Sequence, residues 1–466
     1  MEPRTSTPST SKVRRDVTGG KRGDGHLRTE SVRRPDPRRI RIRPTEQPLT
    51  AMAGLVPFGG FLRDMGVDAE LEQQFASLKD SSNVVYPMAA QMRLLLDAIT
   101  VGGDRVFEIE ALAADPLFVH LAGGIVPSLD TIYRDLCRFD DEALEQLEAL
   151  VAQHGLSRIR GTKPSFVHLD IDSTVTPLFG EQQGAAVGPN PRYHGRPSYH
   201  PILARLAETG TFVGAMLRPG DTGFGAAEAP LIVKWIDRVR EAVGPDCMLY
   251  VRIDGACDCA ELLQAITARG AIVVTKARVT PDLCGLLSTI EQWTTVERGV
   301  DNEPLQQVTE VPFARCGWDE RGLDLRVIAV RTVDPANGKP CYLWPGLDAS
   351  AQVFITSDWA ENPIDVMRRY NLRAGIEPMI GEVKYGWGLG KMPSQCFEAN
   401  HASLLLKLLA FNLMRCYLAT HHPELQTWRV PWLRRALLRV PGRLSLSGRK
   451  LTLNIPARSK LARRLN

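Results

Sequence analysis

At residue 164 the spacing of apolar side chains changes, and no single type of secondary structure accommodates both sides of the change. From about Pro48 to Gly155 apolar residues recur at helical intervals. In SLDTIYRDLCRF, Ser128 stands where an N-cap is expected, and Leu129, Ile132, Tyr133, Leu136 and Phe139 follow on one face. DDEALEQLEALVAQHG has acidic residues in its first turn and Gly155 beyond its expected end, which predicts a second helix. SFVHLDIDSTVTPLFG then alternates Val167, Leu169 and Ile171 against His168, Asp170 and Asp172, the period of a strand with two carboxylates on one face.

Further strands are predicted in TFVGAMLRPGD, CMLYVRIDGACD and AIVVTKARV, with helices in APLIVKWIDRVREAVG and CAELLQAITARG. Strands, a helix, a strand ending in Asp254, a helix and another strand succeed one another. That is an α/β arrangement, antiparallel at its start and parallel afterwards. A carboxylate at a strand end is costly unless it is paired or binds a cation, so Asp172 and Asp254 ask for positive charge. Solvent or turn amides would also satisfy either one.

A chain of 466 residues exceeds one compact core, so two to four folded parts are expected. No uninterrupted apolar run approaches the ~18–20 residues that cross a bilayer, and the Arg-rich N-terminus lacks the apolar stretch of a secretory signal. A soluble protein without a membrane partner is expected. Nine scattered cysteines, an odd number, suit reduced thiols in a cytoplasm, and Cys257-x-Cys259 lacks a second ligand pair at zinc spacing. Residues 1–45 hold 13 Lys and Arg against 5 Asp and Glu, and residues 429–466 hold 11 against none, which leaves 33 against 48 between them. Basic ends on an acidic body fit a protein that binds a polyanion and whose catalytic body uses carboxylates.

YNLRAGIEPMIGEVKYG sets Tyr370, Arg373, Glu377 and Lys384 at offsets of zero, three, seven and fourteen. On one continuous helix these side chains would share a stripe roughly 60° wide. Pro378, Gly375 and Gly381 work against that continuity.

Two chemistries compete for LDIDST. Asp170-x-Asp172-x-Thr174 after an apolar strand resembles the nucleophile motif of haloacid-dehalogenase-type phosphatases, but there the acidic metal motif should follow the Lys motif, whereas DGACD here precedes VVTK. The alternative accounts for the Tyr/Arg/Glu/Lys spacing as well. Asp172 in DST, Asp254 in IDGACD and Glu377 resemble the DDE triad of an RNase H-like transposase. Tyr370-x2-Arg373-x3-Glu377-x6-Lys384 resembles the Y-R-E-K signature of bacterial insertion-sequence transposases. LDIDSTVTPLFGEQQGAAVGPNP, GRPSYHPIL, LRPGDT and RIDGACD are similar to the thirteen-eighty group of the insertion-sequence-four-like superfamily, across roughly residues 50 to 455.

The resemblance implies an α/β fold: an RNase H-like catalytic core interrupted by a β-rich insertion and preceded by an all-helical N-terminal DNA-binding module. It also implies a DNA transposase, a nuclease and strand transferase that cuts at inverted-repeat ends and joins the freed 3′-OH to target DNA. Two Mg²⁺ ions, with Mn²⁺ as a substitute, would be held by Asp172, Asp254 and Glu377. Asp172 would bridge them, and Asp170 would support the site. Arg373 would grip phosphate, Tyr370 would meet the DNA end and Lys384 would reach the backbone. If ends close as hairpins, a flipped base would stack on Trp293, Trp318 or Trp344. A homodimer on DNA in a bacterial cytoplasm, associated with the nucleoid, is the expected working form. A silent DNA-binding derivative remains the other member of this class.

The expected organisation is a basic disordered leader (1–45), a helical DNA-binding module (46–158), the first part of the core (159–280), the β-rich insertion (281–350), the second part with the Glu-bearing helix (351–425) and a basic C-terminal hairpin and tail (426–466). The loop GAAVGPNPRYHGRPSYHP offers Arg192, His194 and Arg196 to a DNA backbone. Asp258 is placed to cap the following helix, and GRLSLSGRKLTLNIP reads as a hairpin turning at Ser447-Gly448.

Overall fold

The computed structural model describes residues 36–190, 193–255, 258–333 and 351–464. Residues 1–35 of the leader, Arg192, Cys257, Cys341 and Trp344 therefore lie outside the described residues. The chain divides into two units between Glu46 and Gln47. In the first, the side chain of Asp36 caps the short turn Pro37–Arg39.

The second unit opens with helices α1 (Leu55–Asp64), α2 (Val67–Phe75), α3 (Met88–Val101), α4 (Leu129–Leu136) and α5 (Asp141–Leu156), joined by shorter turns. Two starts follow from cap chemistry: Ser128 accepts from the Thr131 amide at 3.3 Å, and Asp140 from the Ala143 amide at 2.9 Å. Gly155 departs from expectation. It lies inside α5 rather than beyond it, and a Cβ there would stand 2.0 Å from the carbonyl oxygen of Phe212. The glycine is a point of close packing between helix and strand.

The α/β part runs β1 (Phe166–Ser173), β2 (Ile202–Leu206), β3 (Thr211–Met216), α6 (Ala229–Val243), β4 (Met248–Ile253), α7 (Ala260–Thr267) and β5 (Ile272–Lys276). These strands lie in the order β3-β2-β1-β4-β5. The first three pair antiparallel, while β1, β4 and β5 run parallel. Strands β6 (Thr294–Arg298), β7 (Pro304–Val311), β8 (Arg326–Thr332) and β9 (Ala351–Thr356) carry the same sheet onward, with β9 antiparallel to β5, so it reaches nine strands. The strands expected in the inserted segment thus hydrogen-bond into the edge of the core sheet.

Alternation along β1 sorts the layers. Val167, Leu169 and Ile171 pack with Trp235 of α6 and Leu262 of α7. His168, Asp170 and Asp172 turn to the opposite face, covered by helices from the C-terminal part of the chain.

The longest helix, α10 (Phe397–His421), is apolar and long enough by composition to cross a bilayer, but 89% of that apolar window is buried inside the protein. It is a core helix. Its Asn412 amide nitrogen donates to the carbonyls of Val151 and Phe212, and its oxygen accepts from the Phe212 amide at 2.9 Å. One side chain thereby ties α5, α10 and β3 together without leaving a buried donor unmet.

Strands Gly442–Ser447 and Lys450–Asn454 form the expected hairpin, and Leu49–Thr50 adds to it as a third strand. Because Ser447 pairs with Lys450, the loop is Gly448-Arg449, with Gly448 at φ +62°.

Candidate active site

Parallel pairing brings Ile171 of β1 opposite Ile253 of β4. Asp172 and Asp254, each one residue further on, therefore emerge side by side at the C-terminal edge of the sheet. Asp254 is exposed, and its carboxylate accepts from the Gly255 amide at 2.8 Å.

The stretch from Tyr370 to Lys384 is not one helix. Helix α8 (Pro363–Asn371) passes into a 3-10 turn, Leu372–Gly375, before α9 (Ile376–Gly386) begins. Pro378 explains the restart: it has no N–H for the Ala374 carbonyl, but in the first turn of α9 no such bond is needed. The side chains therefore part company. Tyr370 at the end of α8 is buried, its ring 5.2 Å from that of Phe354 and 5.4 Å from the Lys276 ammonium. Arg373 is also buried, and its Nη2 lies 2.9 Å from Asp172 Oδ1 and donates to the Ile171 carbonyl at 3.3 Å. Glu377 is exposed in the first turn of α9, which packs against β1. Lys384 donates to Thr174 Oγ1 at 3.3 Å and to the Val175 carbonyl, so it grips the loop leaving β1.

Asp172 feels the other two acidic residues. Burial pushes the Asp172 carboxyl above the usual aspartate range; Arg373 and the Ser173 amide oppose this, while Asp254 and Glu377 push it further up. A partly buried carboxylate facing two exposed ones, with one guanidinium for compensation, is a site short of positive charge.

Asp170 is different in kind. It is fully buried, with Oδ1 2.6 Å from Arg252 Nε and Oδ2 3.4 Å from Arg205 Nη1. Arg252 is fixed in turn by the Arg369 carbonyl at 2.7 Å. A nucleophilic role for Asp170, which the phosphatase reading requires, has no access to substrate. Below it, His168 joins Glu208 and Arg369, each at 2.7 Å, and Arg369 pairs with Glu361 at 2.5 Å. Sequence reasoning missed Arg205 and Arg252; the signal was available as an Arg within the apolar run of CMLYVRID, which calls for a buried partner.

Asp258 does not cap α7. It accepts from the Arg278 amide at 2.8 Å and pairs with Arg315, while Cys259 occupies the cap position. Trp318 is buried in the core, and Trp293 donates to the Ile290 carbonyl at 3.0 Å with Arg331 stacked 4.1 Å above its ring. Exposed aromatic surface lies elsewhere: Phe179, 78% exposed on the loop after β1, carries Arg196 at 4.4 Å.

Among the described residues, no three His, Cys, Asp or Glu side chains stand close enough to hold one ion as placed. The donor chemistry of Asp172, Asp254 and Glu377 nevertheless fits a hard divalent cation, which takes oxygen ligands and relieves like-charge repulsion.

The family model described as transposase DDE domain group 1 matches residues 33–465. Among solved structures, a piggyBac transposase synaptic complex with hairpin DNA aligns with a TM-score of 0.44 and 11% identity, over 82% of this chain and 79% of that one. A search of curated proteins returned no match. Matched along almost its whole length, the chain belongs to the transposase DDE domain group 1 family.

Proposed function

We propose that this DNA transposase belongs to the insertion-sequence-four-like, Y-R-E-K class, and that it cuts its element at inverted-repeat ends and joins the 3′-OH ends to target DNA. The observation that supports this reading is the parallel register that sets Asp172 beside Asp254 at the sheet edge, with Glu377 on the helix that packs against the same strand. The proposed domain roles place DNA recognition in the helical segment 46–158, with a DNA-bridged homodimer as the working assembly.

Asp172, Asp254 and Glu377 would hold the divalent cations, magnesium with manganese as a substitute. When bound, these supply a nucleophile near neutral pH and charge compensation at the leaving oxygen. The residues of this chain do the rest. Among the described residues Arg373 Nε has no hydrogen-bond partner, so in this reading the guanidinium keeps a donor to turn toward a phosphate oxygen while its Nη2 holds Asp172. Lys384 anchors Thr174 and Val175, which sets the direction of the loop that follows the first carboxylate. In this reading Tyr370 supports Arg373 from the core, and Asp170 keeps β1 and β4 in register through Arg252.

The test is a gel assay with purified protein, Mg²⁺ and DNA ending in the inverted repeats of the source element. Asp172→Ala, Asp254→Ala and Glu377→Ala should each abolish cleavage. Wild-type levels of cutting by Glu377→Ala would remove the triad.

A further inference from the structure

At the C-terminal end of the chain, far from β1 in sequence, two tryptophans meet three cations. A pocket of about 350 Å³ is lined by Trp428, Trp432, Arg435, Ala436, Arg439 and Lys460. Residues 429–466 contain no Asp or Glu, so nothing on that segment neutralises the cations. Lys460 Nζ stands 3.8 Å over the Trp428 ring, and Trp432 is 60% exposed.

The platform under Trp432 is rigid. Trp432 lies on the short helix Val430–Leu433, and the next residue, Arg434, donates to the carbonyls of Thr100 at 2.9 Å, Ile99 at 2.8 Å and Gly386 at 2.6 Å. Arg439 Nε adds a 2.7 Å bond to the Val101 carbonyl. An open indole on a base tied down in this way loses less freedom when a ring stacks on it. Gly386 ends α9, whose first turn carries Glu377, so Arg434, next to Arg435 of the pocket, is tied to the far end of the Glu-bearing helix.

We propose that this pocket binds an unpaired nucleotide of the DNA substrate, its base stacked on Trp432 and its phosphate met by Arg435 and Lys460. The proposal rests on the DNA reading above. Aromatic rings interleaved with cations and free of carboxylates are what single-stranded nucleic acid requires. An acidic peptide would satisfy the cations but leave the indoles unexplained, and intact duplex keeps its base faces stacked away from Trp432.

The test uses full-length protein without divalent metal and fluorescence anisotropy of two labelled probes: an oligothymidine of about 12 nucleotides and a blunt duplex of equal length. Trp432→Ala should weaken oligothymidine binding about tenfold or more, Trp432→Phe should retain most of it, and duplex binding should change little. Arg435→Gln and Lys460→Gln should each lower the salt dependence of oligothymidine binding by about one unit of slope. Because Trp432 is exposed, its substitution leaves the fold intact, which thermal melts will check.

Unchanged oligothymidine binding by Trp432→Ala, with wild-type protein still binding DNA, would overturn the pocket and leave the transposase reading standing. Equal losses on duplex and oligothymidine, or displacement of the probe by polyglutamate as efficiently as by unlabelled oligothymidine, would also overturn it. Failure of wild-type protein to bind any DNA would sink both.

Discussion

Arg373 holds Asp172: Nη2 of the guanidinium stands 2.9 Å from Oδ1, with both side chains largely withdrawn from solvent. This contact joins the end of the first core strand to the 3-10 turn that precedes α9. It places a cation beside the carboxylate that Asp254 and Glu377 both push upward. The pair holds negative charge together before any substrate arrives.

Removing Arg373 should therefore destabilise the metal-free protein. Breaking a buried pair from one side leaves an uncompensated charge, at a cost of about 3–5 kcal/mol. Arg373→Ala should show that loss in urea denaturation, and the Arg373→Ala/Asp172→Asn double variant should recover part of it. Strict additivity of the two single changes would contradict the coupling.

Asp170 and Asp172 should separate cleanly by phenotype. Asp170→Asn strands Arg252 and Arg205 in the interior and should lower stability by about 3 kcal/mol or more. Asp172→Asn also strands Arg373 but relieves the repulsion from Asp254 and Glu377, so it should cost less stability than Asp170→Asn while cleavage disappears. The pair of assays fails the interpretation if Asp170→Asn melts like wild type.

Gly155→Ala tests the contact between helix and strand. The added methyl would meet the Phe212 carbonyl at 2.0 Å, so α5 must move off β3, at roughly 1–3 kcal/mol. Asn412→Ala, which unties the same three elements, should cost a comparable amount by leaving buried backbone groups unmet. Circular-dichroism melts of both variants read this directly; stability equal to wild type in Gly155→Ala would show that the approach is looser.

Lys407 should impose a pH dependence unrelated to catalysis. It is buried on α10 with its ammonium donating to the Lys391 carbonyl at 2.6 Å, and burial pushes its pKa down to about 7, with Asp104 opposing. Between that value and the ordinary lysine pKa of about 10.4, the unfolded chain holds a proton that the folded chain has released. Stability contributed by this group therefore rises with pH from about 7 towards 10 and is lost as pH falls back through that window. Urea midpoints at pH 7 and 9 should differ less in Lys407→Met than in wild type. Identical differences in the two proteins would rule the effect out.

Much of the architecture is legible without coordinates. The period of two in FVHLDIDS and the caps at Ser128 and Asp140 depend on neighbours a few residues away, so the order of helices and strands can be read from the chain. The acidic strand ends at Asp172 and Asp254 were visible for the same reason, because burial of a carboxylate is costly wherever the chain goes.

What depended on distant partners was not legible. Asp170 and Asp172 are equivalent by alternation, and only the parallel register of β1 and β4, which sets Asp170 opposite Arg252, makes one a buried anchor and the other a site residue. Gly155 looks like a helix stop until Phe212 is brought against it. The spacing of Tyr370, Arg373, Glu377 and Lys384 suggested one shared face, yet the restart before Pro378 sends them to the core, to Asp172, to solvent and to the loop after β1. Local pattern determined which elements form, because helix and strand periods are short-range properties of the backbone. The tertiary structure decided which charges meet, because electrostatic partnership depends on separations of a few ångströms between residues far apart in the chain.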